Sequence, residues 1–220
     1  MRFLRWLLAL FLLPTCGLAV FVLALEISSI RQFPPNAIAF FSGMLLYFLL
    51  HFVLPKANTI YVLGHEFTHA VMTWFFGGSV RNFRISSQGG SVETSLSNLW
   101  VNLGPYLLPI YLMAAGLVYW AAVVCFEVEW LRWPLLGLMG AGAAFHLLMT
   151  LNVLAVEQQD LKDTGYFIGM VLILLVNLTW VAWVLGWIFG LPIAQGFIQG
   201  AWGRTVQFWT WIGESLGEGW

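Results

Sequence analysis

Residues 65 to 69 read His65-Glu66-Phe67-Thr68-His69, a spacing that places two imidazoles one helical turn apart on the same face. Two such histidines suit a single zinc ion, and the glutamate beside them suits a general base acting on a water molecule. Ionisable side chains are scarce elsewhere, which concentrates attention on them. Two of the four histidines lie in this pentapeptide, and the only two aspartates, Asp160 and Asp163, fall together within Gln159-Asp160-Leu161-Lys162-Asp163.

The surroundings of these groups are apolar. Of 220 residues 60% are hydrophobic and 9% charged, and mean hydropathy is +0.85, a composition that would leave a water-soluble fold with far too much apolar surface. Net charge is -1 with no long basic or acidic run, so nucleic acid is not an expected partner. Cys16 and Cys125 both sit in apolar runs and read as buried small hydrophobes, neither a disulfide framework nor a thiolate metal site.

A hydrocarbon layer of about 30 Å needs roughly 20 apolar residues per helix. On that ruler the chain gives an all-α polytopic membrane protein of about six transmembrane segments. They cover about 3–25, 37–54, 57–76, 96–126, 134–154 and 164–189. The first follows Arg2 and Arg5 and runs longer than a signal-peptide core, so it is read as a retained anchor. The second stops at Pro55-Lys56, and the third carries the pentapeptide and stops at Gly77-Gly78. The polar interval 79–95 reads as a short β-hairpin, with Gly89-Gly90 as its turn. Pro105 and Pro109 predict a kink or break in the fourth segment. In the tail, Phe197, Ile198, Trp202, Val206, Trp209 and Ile212 recur at helical spacing opposite Gln195, Gln199, Arg204 and Gln207, which predicts a C-terminal helix lying at the membrane interface.

Three regions follow: N-terminal membrane helices in 1–56, a core in 57–189 and the interfacial tail in 190–220. With six spans, one face carries Arg2, Arg5, Lys56, Arg132 and Arg204, and the other Arg31, Arg81, Arg84 and Lys162, a balance that assigns no orientation.

Alternating spans bring the end of the third segment, the hairpin, the start of the fourth segment with Asn98 and Asn102, and the aspartates to one face. His69 lies eight residues in from residue 77, roughly 12 Å at the helical rise. Asp160 or Asp163 can then complete a site of two histidines, one carboxylate and a water, the layout of a catalytic zinc. His146, at similar depth, competes for the third position or serves substrate or oxyanion binding. His51 reads as interfacial. Asn102 is a candidate donor to a developing oxyanion, with hydrogen bonding at a kinked helix as the plainer role.

The pentapeptide, the glycine-containing hairpin after it, the stretch Asn98-Leu-Trp-Val-Asn-Leu-Gly-Pro-Tyr-Leu-Leu-Pro109 and a late aspartate near a helix end together resemble the site-2 protease family of intramembrane zinc metallopeptidases, over about residues 57–180. The resemblance implies zinc held by His65, His69 and a distant aspartate, with Glu66 as base. It also implies hydrolysis of a peptide bond in a membrane protein or membrane-embedded peptide, and residence in the cell (inner) membrane. The family's aspartate precedes a glycine. Here the sequence is Gln159-Asp160-Leu161 with Gly165 downstream, and the ligand role is carried to Asp160. Two other classes fit the same residues: a non-catalytic adaptor or chaperone of this fold, and a metal or proton transporter, since intramembrane His and Asp also build ion pathways.

Overall fold

The computed structural model describes residues 2–53, 58–86, 89–154 and 159–217. The Pro55-Lys56 stop, and Gln88, Glu157 and Gln158, lie outside them. The described chain is mostly helical: α1 (Arg2–Ser28), α2 (Pro35–Val53), α3 (Asn58–Phe75), α4 (Leu99–Leu107), α5 (Ile110–Tyr119), α6 (Arg132–Leu154), α7 (Gln159–Thr164), α8 (Tyr166–Phe189) and α9 (Ile193–Gly217). One antiparallel hairpin, β1 (Val80–Ser86) and β2 (Gly89–Thr94), interrupts them.

Among the described residues, four helices, within α1, α2, α6 and α8, are long and apolar enough to cross a membrane, and a fifth span results if α4 and α5 are taken as one bent element. Such a set marks an integral multi-pass membrane protein. Helix α3, counted above as a span, is not among them. His65, Glu66, Thr68, His69 and Thr73 dilute its apolar content, so the helix with the candidate chemistry is the less lipophilic one.

The contacts divide the chain into two compact units, 35–164 and a second made of 1–34 with 165–220. In the second unit α1 packs on both α8 and α9. Phe11 stacks on Trp209 with ring centroids 4.3 Å apart, Val22 rides on Gly200, and the Arg204 guanidinium lies 5.1 Å from the Phe21 ring centre. Its buried core includes Ala9, Cys16, Ile168 and Val171. Helix α9 forms in the tail as expected and packs on α1 and α8. Ile193, Phe197, Ala201 and Thr205, one residue per turn, form its buried stripe, while Ile198, Trp202 and Trp211 point outward. Cys16 is buried as expected, but Cys125 is exposed.

In the unit 35–164, α2 pairs with α6 at glycines. A Cβ on Gly43 would overlap the Gly137 carbonyl, and one on Gly140 the Phe40 carbonyl, so the backbones touch directly. Close approach through small residues is the usual source of helix association where lipid removes the hydrophobic drive.

Helices α4 and α5 meet at a 65° bend across Leu108-Pro109. Pro109 therefore breaks the segment, whereas Pro105 stays inside α4. Asn98 starts α4, its side-chain oxygen accepting from the backbone N–H groups of Trp100 and Val101 at 2.9 Å each.

The hairpin forms where expected, but the glycine pair expected as its turn stands in a strand. Gly89 and Gly90 belong to β2, opposite Ser86 and Ile85. Register shifts between Arg81 and Arg84, a bulge at which Asn82 takes φ 47° and its amide donates to Glu93 at 2.8 Å. Gly90 is required by proximity: a Cβ there would lie 2.5 Å from Val62 Cγ1 and 2.8 Å from Glu66 Cγ. Strand β2 is thus pressed onto α3 at the glutamate of the pentapeptide.

Candidate metal centre

Every group of the site belongs to the unit 35–164. Helix α3 presents His65 and His69 on one face, and α7 brings Asp160 to them. His65 Nε2 and His69 Nε2 are 3.3 Å apart, and Asp160 Oδ2 lies 3.4 Å from the first and 3.5 Å from the second. Two ligands each 2.0–2.1 Å from a tetrahedral zinc are separated by about 3.3–3.4 Å, so this nearly equilateral triangle has the dimensions of one face of such a site. All three groups are part-buried, with 13%, 12% and 27% of their side chains exposed.

Each corner has its own support. His69 Nδ1 donates to the Val101 carbonyl at 2.8 Å, which orients the ring and turns Nε2 toward the other two groups. That carbonyl is available for a reason visible in the sequence. In an α-helix it would accept from residue 105, but Pro105 has no N–H. On the opposite side of the same histidine pair, the Tyr61 hydroxyl lies 3.3 Å from His65 Nδ1, one turn earlier on α3. The Tyr106 hydroxyl, on a residue only 1% exposed, donates to Asp160 Oδ2 at 3.1 Å.

Burial disfavours the charged form of Asp160, but hydrogen bonds from His65 and His69 outweigh it and hold the carboxyl below the usual carboxylate range. Asp160 is therefore an anion at neutral pH. His65 Nε2, His69 Nε2 and Asp160 Oδ2 converge on one point, an arrangement that a shared proton or a metal cation would satisfy. Two imidazoles and a carboxylate are a donor set suited to zinc.

The structure brings one of the three contenders for the third position to the histidines. Asp163 accepts from Gln159 at 2.8 Å in an exposed pair. His146 lines a cleft beside His65 and is not among the three converging groups. His51 pairs with Tyr47 at 3.4 Å on α2. Glu66 follows His65 on α3, and its carboxylate acts electrostatically on His69, Tyr61 and Tyr106. Asn102 is part-buried on α4. Its side-chain oxygen accepts from Ser97 at 3.2 Å, which leaves the amide N–H groups as its donors.

Compared with protein-family models, curated proteins and solved structures, the chain matches none. The functional reading therefore stands on the site's own geometry. Tyr61, Val101, Pro105 and Tyr106 are the members that residue-type reasoning missed. Tyr61 had a signal, lying four residues before His65 on the same face. Pro105 had one too, four residues after the carbonyl it frees. Nothing local in the sequence ties Tyr106 to an aspartate 54 positions away.

Proposed function

We propose that this protein is a zinc-dependent intramembrane endopeptidase of the site-2 protease type, cutting a membrane-associated polypeptide. The observation that carries the reading is the triangle of His65 Nε2, His69 Nε2 and Asp160 Oδ2, with edges of 3.3, 3.4 and 3.5 Å, next to a glutamate in a helix flanked by apolar spans. Three protein donors, rather than four, are the donor count of a catalytic rather than a structural zinc. When bound, zinc supplies Lewis acidity, lowering the pKa of a water toward about 7 and polarising a carbonyl.

The chain's own groups supply the rest. His65, His69 and Asp160 would hold the ion, while Tyr61, the Val101 carbonyl and Tyr106 orient those side chains. Glu66 accepts a proton from the attacking water and returns it to the leaving amine. The free amide N–H of Asn102 is the candidate donor to the oxyanion. A transmembrane helix protects its own peptide bonds until it unwinds. The hairpin, whose β2 lies against Val62 and Glu66, offers a strand edge on which an unwound segment could be held extended.

In this reading α3 lies at membrane depth beside the apolar helices, giving a sixth span. The outward tryptophans of α9, Trp202 and Trp211, sit at the lipid interface of the cell (inner) membrane.

The test compares wild type with Glu66→Gln in the native membrane, by mapping new N-termini of membrane proteins. We expect both proteins to carry one zinc per chain and the variant to lose a set of cleavage products. Identical products from both would overturn the reading.

A further inference from the structure

Strand β1 carries two arginines three residues apart, and its bulge puts them on one face. Arg81 pairs with Glu93 and Arg84 with Ser91, so Asn82 and Phe83 stand opposite the single Val92. In a regular strand, side chains alternate, and Arg84 would fall on the opposite face from Arg81. The extra residue instead brings both to the face of Ser91 and Glu93, where all four are exposed. Val80, Ile85, Val92 and Thr94 share the other, less exposed face with Gly90, which meets Val62 and Glu66 of α3. The arginines therefore occupy the side of the hairpin away from the helix.

Local chemistry holds this arrangement. Asn82 takes the left-handed conformation that asparagine tolerates, and its amide donates to Glu93, the carboxylate opposite Arg81. Among the described residues neither arginine forms an ion pair. Glu93 and Ser91 are two residues apart, which sets Arg81 and Arg84 roughly 7 Å from each other along the hairpin. Both guanidinium groups can thus reach one anionic surface.

The surroundings say which surface. Helix α3 ends in Trp74, Phe75 and Phe76, all exposed, and the chain reverses at Gly77-Gly78, with the Gly78 N–H donating to the Thr73 carbonyl at 2.8 Å. The Ser95 N–H donates to the Ser79 carbonyl at 2.9 Å, so the base of the hairpin stays beside that helix end. Phe83 in the bulge and Trp100 in the first turn of α4 are exposed as well. In an integral membrane protein, outward aromatic side chains at helix ends mark the level of the headgroups, where basic groups meet lipid phosphate.

We propose that the outer face of the hairpin docks on anionic phospholipid headgroups, with Arg81 and Arg84 binding their phosphate groups and Phe83 seated beside them at the interface. Because the inner face bears on Glu66 through Gly90, lipid bound outside steadies the strand that lies against the glutamate. The inference is independent of the peptidase reading, since it concerns only the hairpin and the bilayer.

Hydrogen exchange of the hairpin amides in lipid nanodiscs tests it on the full chain. Discs of phosphatidylcholine alone are compared with discs containing about one third phosphatidylglycerol. Two juxtamembrane cations predict that exchange in wild type slows by at least about tenfold in the anionic discs. Arg81→Gln/Arg84→Gln should lose this slowing, Arg81→Lys/Arg84→Lys should keep it, and raised salt should remove it from wild type. The salt comparison still decides the matter if the glutamine variant fails to form the hairpin.

Equal exchange of wild type in the two kinds of disc would overturn the proposal. So would slowing that persists in a folded glutamine variant or at raised salt, which would place the lipid effect elsewhere. Protection of the hairpin in neutral discs by a soluble polyglutamate peptide, with none from phosphatidylglycerol, would make the face a polypeptide docking surface and equally overturn it.

Discussion

Replacing Pro105 with alanine would test whether an absent N–H helps to build the metal centre. The variant restores a donor four residues after Val101, whose carbonyl accepts from His69 Nδ1 at 2.8 Å. The new helical hydrogen bond would compete for that oxygen. Removing an outer partner of a metal-binding histidine typically costs about 10–100-fold in affinity. A carbonyl has two lone pairs and can be shared, so the low end applies: about tenfold, or about 1.4 kcal/mol. Stability moves the other way, because alanine is favoured over proline in a helix interior by up to about 3 kcal/mol. The assay is zinc affinity by competition with a chelator, alongside thermal unfolding of the chelator-treated protein. Weaker zinc binding with equal or higher stability is expected. Affinity within twofold of wild type, or a loss that tracks a fall in stability, would refute the reasoning.

Tyr106→Phe deletes one hydroxyl and opens almost no space, so zinc affinity should fall by about tenfold or more while the fold is kept; unchanged affinity would remove Tyr106 from the centre. Gly90→Val places a side chain where Val62 Cγ1 and Glu66 Cγ lie within 2.8 Å, and should abolish cleavage with zinc retained, as read by product formation and metal content. Ile85→Pro deletes strand hydrogen bonding opposite Gly90 and should likewise impair cleavage with zinc bound; unchanged turnover would leave the hairpin as a connector. Gly140→Leu forces a side chain into the Phe40 carbonyl, and should destabilise the α2–α6 pair by more than about 3 kcal/mol, seen as lost folded yield.

The elements and the candidate ligands were legible in the sequence to different depths. Apolar run length marked the long helices, because a bilayer imposes a minimum span, and it overcounted at α3, where the functional side chains lower the apolar content. Spacing alone placed His65 and His69 on one face. Only three-dimensional packing could choose among Asp160, Asp163 and His146. Asp160 and Asp163 are three residues apart on a single short helix, yet one meets the histidines and the other pairs with Gln159. The glycine pair misled because glycine serves both turns and close approaches. Gly90 is there to let β2 touch α3, a tertiary demand that leaves no local trace. The stripe on α9 was displaced for a similar reason: its periodicity marked an apolar helix, but the packing partner decides which of its apolar residues go inward.

The most direct measurement is the zinc content of purified wild type, Asp160→Ala, Asp163→Ala and His146→Ala. One zinc per chain is predicted for wild type, Asp163→Ala and His146→Ala, with loss in Asp160→Ala. Full occupancy in Asp160→Ala, or none in wild type, would contradict the metal centre described here.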